Sequence, residues 1–304
     1  MLRPQVLYPS FHTVCLIYDR LYRVKRFRPG PMRLAFRISL LAIGLASLLG
    51  AGTASAGSLV EFPNVSEREP KLLGYLARPI GEGPFPAVVV LHGCGGFSSG
   101  GSLQLADQLK DWGYVALMVD SLTPRGLTTA CGGPFIDQPG DAYAALRYLS
   151  QQSFVAPERV AVLGNSMGGY SALYAVDRGL MAQYFRHFKE RFRAAVAYYP
   201  NCGIPATMMT APTLILIGEA DDWTPAERCR VMVAHARPDG APIALTVYPG
   251  AHHGFNFAIL QPGRSSLGHW LKYNEPAARD AEAKVRAFLA KHLGTAAADE
   301  PTAK

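Results

Sequence analysis

The chain has 304 residues, of which 49% are hydrophobic and 17% charged, so it can form a large buried core and wholesale disorder is excluded. The formal net charge is +7, but residues 1–56 hold eight Lys/Arg and one acid, which accounts for the whole excess. The remainder is neutral overall. We therefore expect no nucleic-acid partner, since a phosphate-binding surface would place its positive charge on the folded domain.

Residues 1–56 look like a leader. Basic residues precede an apolar run over 38–49, and small residues follow it up to Ala56. These three features are typical of a secretory signal peptide, which we place at 32–56, and they predict a periplasmic or secreted protein with no stable membrane span after cleavage. A retained membrane anchor is the alternative, although the run is shorter than the roughly 20 residues that a spanning helix needs. Whether Met32 is the true start stays open.

Beyond the leader, strand-like and helix-like segments alternate. Short apolar runs bounded by Gly, Pro or Asp predict strands covered on both faces. The alternation predicts an α/β fold with a mostly parallel central sheet and helices on both faces, in one domain over 57–293 with a flexible tail over 294–304. The predicted strands are 87–91, 114–119, 160–163, 194–199, 213–217 and 244–248, and the predicted helices are 103–112, 141–152, 168–176, 226–236 and 277–292.

The strongest chemical signal is the motif Gly164-Asn165-Ser166-Met167-Gly168-Gly169, which follows a predicted strand and precedes a predicted helix. This is the context of a G-x-S-x-G nucleophile elbow. The turn is sharp, so the residues two positions from the serine must lack bulk. The helix that starts after Ser166 favours negative charge developing near its side chain. Ser166 is therefore the candidate nucleophile.

A serine hydroxyl needs a base to take its proton, and that base is expected after a late strand. Two adjacent candidates, His252 and His253, follow the run 244–248. One of them could be an ordinary polar loop residue.

The base in turn needs a carboxylate that fixes its tautomer. Three acids follow the strand 213–217, and Asp221 is favoured because Asp222 could instead cap the helix that begins near Pro225. Serine, acid and histidine then follow three successive strands in the chain order of α/β-hydrolases.

The turn His92-Gly93-Cys94-Gly95-Gly96 follows the first strong strand. It can supply the N–H of Cys94 to an oxyanion hole, paired with the N–H of Met167. His92 is expected to be a structural residue. Arg125 lies beyond another strand end, where it either binds a substrate carboxylate or is a solvated loop residue.

The motif search finds no Cys-x-x-Cys, no His-Glu-x-x-His, no dinucleotide-binding glycine motif and no P-loop. We therefore expect no cofactor and no metal. Four cysteines follow the leader, Cys94, Cys131, Cys202 and Cys229, and they allow three disulfide connectivities or four free thiols.

At these motifs the chain resembles the dienelactone hydrolase family. The segments that carry the resemblance are VVVLHGCGG, MVDSLTPRG, GNSMGG, GEADDWTP and YPGAHHGFN, and it spans roughly residues 60–293. It implies an α/β-hydrolase fold, assigns the acid to Asp221, the base to His253 and an oxyanion donor to Cys94, and implies the disulfides Cys94–Cys131 and Cys202–Cys229.

Two features depart from the founding enzymes of that family. Those enzymes use a cysteine nucleophile where this chain has Ser166. They also hold the lactone's carboxylate with two arginines, and Arg125 matches at most one, since the second would fall near Phe257. The sequence thus predicts an exported serine hydrolase that cleaves a small-molecule carboxylic ester or lactone through an acyl-enzyme. A peptidase or acyl-transferase with the same triad, a polyester or cutinase-like hydrolase, and a non-catalytic binding protein are the alternatives. Substrate identity and oligomeric state are not readable.

Overall fold

The computed structural model describes residues 57–97, 101–203 and 208–295. The predicted signal peptide at 32–56 and most of the predicted tail lie outside these residues.

The described residues build one eight-stranded sheet and a separate two-stranded hairpin. The strands are β1 (Ser58–Phe62), β2 (Leu72–Ala77), β3 (Phe85–Leu91), β4 (Val115–Asp120), β5 (Val155–Asn165), β6 (Ala194–Tyr198), β7 (Thr213–Gly218), β8 (Ile243–Tyr248), β9 (Arg264–Ser266) and β10 (His269–Leu271). The helices are α1 (Ser102–Asp111), α2 (Gln138–Ser150), α3 (Met167–Val176), α4 (Arg178–Tyr184), α5 (Ala226–Ala234) and α6 (Glu275–Leu293).

The large sheet has the order β1-β2-β4-β3-β5-β6-β7-β8. β1 and β2 are antiparallel to their neighbours, and every pair from β4 to β8 is parallel. From β3 to β4 the chain moves toward the β1 edge of the sheet, and from β4 to β5 it moves back toward the β8 edge. Because β-α-β crossovers are right-handed, this reversal puts α1 and α2 on opposite faces, as the sequence predicts.

The core of the sheet consists of the central parallel strands. Every residue of β3, β4, β6 and β7 is buried, which is why these strands are continuous apolar runs in the sequence. The reversal of strand order lies beside β3 and β5, and a parallel sheet binds its ligands in the crevice beyond such a point. The loops after β3 and β5 therefore define where the site forms.

The described residues hold two disulfides: Cys94–Cys131 joins two loops, and Cys202–Cys229 joins the loop after β6 to helix α5. These are the pairs that the family resemblance implies. The part of the chain that the structure describes has no helix that is both long and apolar enough to span a membrane.

Candidate active site

Ser166 lies in the sharp turn between β5 and α3, with φ 56° and ψ −113°. A non-glycine residue in this region stores backbone strain of about 1–3 kcal/mol. The flanking glycines make the turn possible, because a Cβ on Gly164 would lie 2.1 Å from the carbonyl oxygen of Gly168, and a Cβ on Gly168 would lie 2.3 Å from that of Leu91. The local backbone is that of a nucleophile elbow.

The side chains of Ser166, His253 and Asp221 form one hydrogen-bonded chain. His253 Nε2 lies 3.0 Å from Ser166 Oγ, and His253 Nδ1 lies 2.8 Å from Asp221 Oδ2. His253 is 4% exposed and Asp221 is 3% exposed, so bulk water competes little for these bonds. In this arrangement the imidazole can take the serine proton while the carboxylate stabilises the imidazolium.

The loop after β7 holds Asp221 in place. The backbone N–H groups of Trp223 and Thr224 donate to Asp221 Oδ1 at 3.0 and 2.8 Å. The Thr224 hydroxyl lies 3.0 Å from Asp221 Oδ2. These contacts leave the carboxylate oriented toward His253.

Two aromatic rings pack against the imidazole of His253. The ring centroid of Tyr199 lies 4.6 Å from it, and that of Trp223 lies 5.1 Å from it. Burial raises the pKa of Tyr199 well above its ordinary value, so this phenol stays neutral, and its hydroxyl donates to Asn256 Oδ1 at 2.8 Å. The packing restricts rotation of the imidazole away from the serine.

The N–H groups of Cys94 and Met167 have no hydrogen-bond acceptor among the described residues. β3 and β5 are neighbours in the sheet, so the loop after β3 lies against the nucleophile, and a Cβ on Gly93 would be 3.6 Å from Ser166 Cβ. Met167 is the first residue of α3, where backbone N–H groups are free to bind an anion. Both predicted oxyanion donors are thus beside Ser166.

His92 and His252 are not part of the hydrogen-bonded chain of Ser166, His253 and Asp221. His92 is fully buried, its Nε2 accepts from the N–H of Ser121 at 3.1 Å, and its Nδ1 lies 2.7 Å from the carbonyl oxygen of Gly93. Burial lowers the pKa of His92, so it is a neutral structural residue. Nδ1 of His252 is buried without a partner among the described residues.

Arg125 is placed differently from either expectation. Its guanidinium bonds both carboxylate oxygens of Asp141, at 2.8 and 2.9 Å, and Glu69 at 3.0 Å. Its side chain is only 11% exposed, and it does not line the catalytic cavity. The guanidinium is already bound by two carboxylates of its own chain, so the structure favours a structural role over binding a substrate carboxylate.

Asp222 also differs from expectation. α5 begins after Pro225 without a side-chain cap, so Asp222 does not cap it. Instead Asp222 Oδ1 accepts from the N–H of Trp270 at 3.2 Å, and His269 Nδ1 lies 3.7 Å away. Asp222 therefore fastens the β9–β10 hairpin to the loop that carries the acid.

This hairpin is the part of the site that sequence reasoning missed. A cavity of about 140 Å³ surrounds Ser166 and His253. The hairpin gives it Arg264, Ser266 and Leu271, and a turn before the hairpin adds Phe257 and Leu260. Arg264 has no carboxylate partner among the described residues. Arg264 follows His253 by 11 residues in the sequence, and no local motif marks it as a residue of the cavity.

No group of three or more His, Cys, Asp or Glu residues in the described part of the chain could hold a metal ion. The residues around Ser166 are those of acyl-transfer chemistry.

Comparison with known proteins agrees with this geometry. The model of the dienelactone hydrolase family matches residues 72–293, more than half of the chain. The chain belongs to the dienelactone hydrolase family. Membership makes it a carboxylic ester hydrolase with the α/β-hydrolase fold, as the sequence predicts.

Individual relatives are distant. The chain is 26% identical over 199 residues to a Bradyrhizobium protein named "Probable 2-oxo-3-(5-oxofuran-2-ylidene)propanoate lactonase", covering 60% of this chain and 79% of that protein. Esterase 2 of Thermogutta terrifontis superposes with a TM-score of 0.60 at 18% identity, over 81% of this chain and 95% of the esterase. A dienelactone hydrolase-like promiscuous phosphotriesterase from metagenomic libraries gives 0.62 at 19% identity, over 79% and 100%. At these identities the two structures support the fold alone.

Proposed function

We propose that the chain is an exported serine hydrolase that cleaves a small carboxylic ester or lactone through an acyl-enzyme. The observation that supports this most is the continuous chain from Ser166 Oγ through His253 to Asp221, with bonds of 3.0 and 2.8 Å. In the family's founding enzymes a cysteine attacks, so the serine nucleophile is one of the two features that distinguish this chain from them.

The reaction follows from the positions of these groups. Ser166 Oγ attacks the carbonyl carbon while His253 Nε2 takes its proton, and the N–H groups of Cys94 and Met167 bind the oxygen that becomes negative. The carbon–oxygen bond to the leaving alcohol breaks as His253 returns the proton to it. Water then attacks the acyl-enzyme with His253 as base, releasing the acid and free Ser166.

The cavity suggests which substrates fit. At about 140 Å³ it holds a small acyl group, and its apolar lining side chains include Tyr199, Trp223, Phe257, Leu260 and Leu271. Arg264 is the residue on that wall that could bind an anionic group on the substrate. The Bradyrhizobium relative is named as acting on a lactone that carries a carboxylate. We therefore place carboxylate-bearing esters and lactones among the candidate substrates.

Two features support export. The leader has the composition of a signal peptide, and the described residues hold two disulfides, which persist in oxidising compartments. A mature N-terminus at Gly57, found by sequencing the protein recovered from outside the cytoplasm, is the expected result. Recovery with the leader intact in the membrane fraction would instead support the anchored alternative.

The reaction class is tested by measuring turnover of short p-nitrophenyl esters, a five-membered lactone and the matching anilide by the full chain, with Ser166→Ala as control. We expect ester and lactone turnover that falls by several orders of magnitude in the control. Preference for the anilide would support a peptidase instead. Absence of all turnover would support the binding-protein alternative.

A further inference from the structure

The disulfide Cys94–Cys131 forms part of the wall of the catalytic cavity. It joins the loop after β3 to the irregular segment before α2, and the two Cα atoms lie 4.8 Å apart. Cys94 is also the predicted oxyanion donor of this loop, and its N–H has no hydrogen-bond acceptor among the described residues. The cross-link is therefore attached directly to a candidate catalytic backbone group.

The segment 129–131 holds Cys94 in a second way. The N–H of Ala130 donates to the carbonyl oxygen of Cys94 at 2.8 Å, and the hydroxyl of Thr129 donates to the same oxygen at 3.2 Å. The N–H of Cys131 donates to that hydroxyl at 3.0 Å. The side chain and the carbonyl group of Cys94 are thus both fixed by one neighbouring segment.

The loop around Cys94 is rich in glycine. Gly93 precedes Cys94, and Gly95 and Gly96 follow it, and glycine has the largest backbone freedom of any residue. The carbonyl oxygen of Gly93 accepts a turn bond from the N–H of Gly96 at 3.1 Å and lies 2.7 Å from His92 Nδ1. The disulfide and the bonds from 129–131 act on residue 94 itself, so they contribute directly to its orientation.

We propose that the disulfide Cys94–Cys131 is a positioning element of the oxyanion hole, which keeps the N–H of Cys94 aimed at the acyl oxygen in the transition state. The inference rests on the proposed serine-hydrolase function. An oxyanion donor contributes only when it is correctly placed, and loss of one donor lowers kcat by about 10²- to 10³-fold. A loosened but present donor should lower it by about 10- to 100-fold.

The second disulfide is a matched control. Cys202 and Cys229 are 27 residues apart in sequence and Cys94 and Cys131 are 37 apart, so loss of either bond should reduce stability by a similar amount. Neither Cys202 nor Cys229 lines the catalytic cavity. A difference in kcat between the two deletions therefore reports on position rather than on stability.

The test compares full-length wild type with Cys94→Ser/Cys131→Ser and Cys202→Ser/Cys229→Ser, using a neutral p-nitrophenyl ester. We expect the cavity variant to lose about 10- to 100-fold in kcat with KM changed by less than about threefold, because the donor acts on the transition state. The control variant should keep kcat within about threefold of wild type. Equal kcat in both variants, or wild-type kcat in the cavity variant, would overturn the inference.

Two further measurements keep the result interpretable. Should the cavity variant fail to fold, as seen by circular dichroism, wild type is reduced under native conditions. One portion is alkylated to map the free thiols, and the other portion is reoxidised without alkylation. The inference requires kcat to fall when the Cys94–Cys131 bond is reduced and to recover when it re-forms. A kcat that does not depend on the state of this bond refutes the inference. Wild-type turnover by Ser166→Ala would instead show that the proposed function itself is wrong.

Discussion

The ion pair of Arg125 and Asp141 gives a prediction that separates a structural arginine from a substrate-binding one. Asp141 is fully buried and accepts two bonds from the guanidinium. Removing one member of a buried pair costs about 3–5 kcal/mol, because the other charge is left uncompensated. We therefore expect Arg125→Ala to lower the free energy of unfolding substantially without a selective effect on substrate binding.

Protonation of Asp141 limits the loss of unfolding free energy in Arg125→Ala. At pH 7 a carboxyl group with an ordinary pKa near 3.9 takes up a proton at a cost of about 4 kcal/mol. The loss in Arg125→Ala should therefore be about 3–4 kcal/mol at pH 7. At pH 5 protonation costs about 1.5 kcal/mol, so the loss should fall to about 2 kcal/mol or less.

The change of stability with pH follows from the pKa of Asp141 in the folded and in the unfolded protein. Burial raises the pKa of Asp141 even while Arg125 opposes the shift, and without Arg125 the folded pKa rises further. Between the unfolded and folded pKa values the folded protein keeps a proton that the unfolded chain gives up. Stability of the variant therefore decreases as pH rises through this window.

The assay is urea unfolding of wild type and Arg125→Ala at pH 5 and pH 7. Arg230→Ala is the control. Arg230 is 43% exposed, and among the described residues its carboxylate partners, Glu219 and Glu227, are exposed, so the change should cost less than about 1 kcal/mol. An Arg125→Ala deficit that is absent, or the same at both pH values, would refute the reasoning. A rise in KM confined to carboxylate-bearing esters would restore the substrate-binding role.

Three other changes have distinct expected outcomes. Asp221→Asn should lower kcat by about 10⁴-fold with little loss of stability, since it leaves the base in the wrong tautomer, and steady-state kinetics would measure this. Gly168→Ala should destabilise the fold by more than about 3 kcal/mol, because its Cβ would lie 2.3 Å from the carbonyl oxygen of Leu91. Gly126→Ala is the control: its Cβ would have nothing within 4 Å, so it should cost only about 1–2 kcal/mol for the left-handed backbone. Thermal unfolding would measure the difference between the two variants. Arg264→Gln should raise KM for a carboxylate-bearing ester and leave that of its neutral analogue unchanged; equal effects on both would count against an anion-binding role.

Strands β3, β4, β6 and β7 and the predicted part of β5 could be predicted because they are buried on both faces, and β8, although partly exposed, is also mostly apolar. Each therefore appears in the sequence as a continuous apolar run, and every such run is a strand in the structure. β1 and β2 were not predicted, since each leaves part of its length exposed and has no such run. The short hairpin of β9 and β10 has only three residues in each strand, too few for a pattern.

In the active site, too, local motifs could be predicted from the sequence and long-range contacts could not. The serine, acid and histidine motifs are local, and the strand before each one brings it to the same edge of the sheet. The role of Arg125 depends on Glu69 and Asp141, which lie 56 and 16 residues away in sequence. Arg264 reaches the cavity because the chain folds back after His253, which no local pattern indicates.

The most direct test of the account is to look for the covalent intermediate itself. The full chain is mixed with p-nitrophenyl acetate, quenched in acid during the first turnovers, and analysed by intact and peptide mass spectrometry. The account predicts the mass of one acetyl group on the peptide that contains Ser166, and none in Ser166→Ala. Ester turnover with no acyl group on Ser166, or with an acyl group on another residue, would contradict the account.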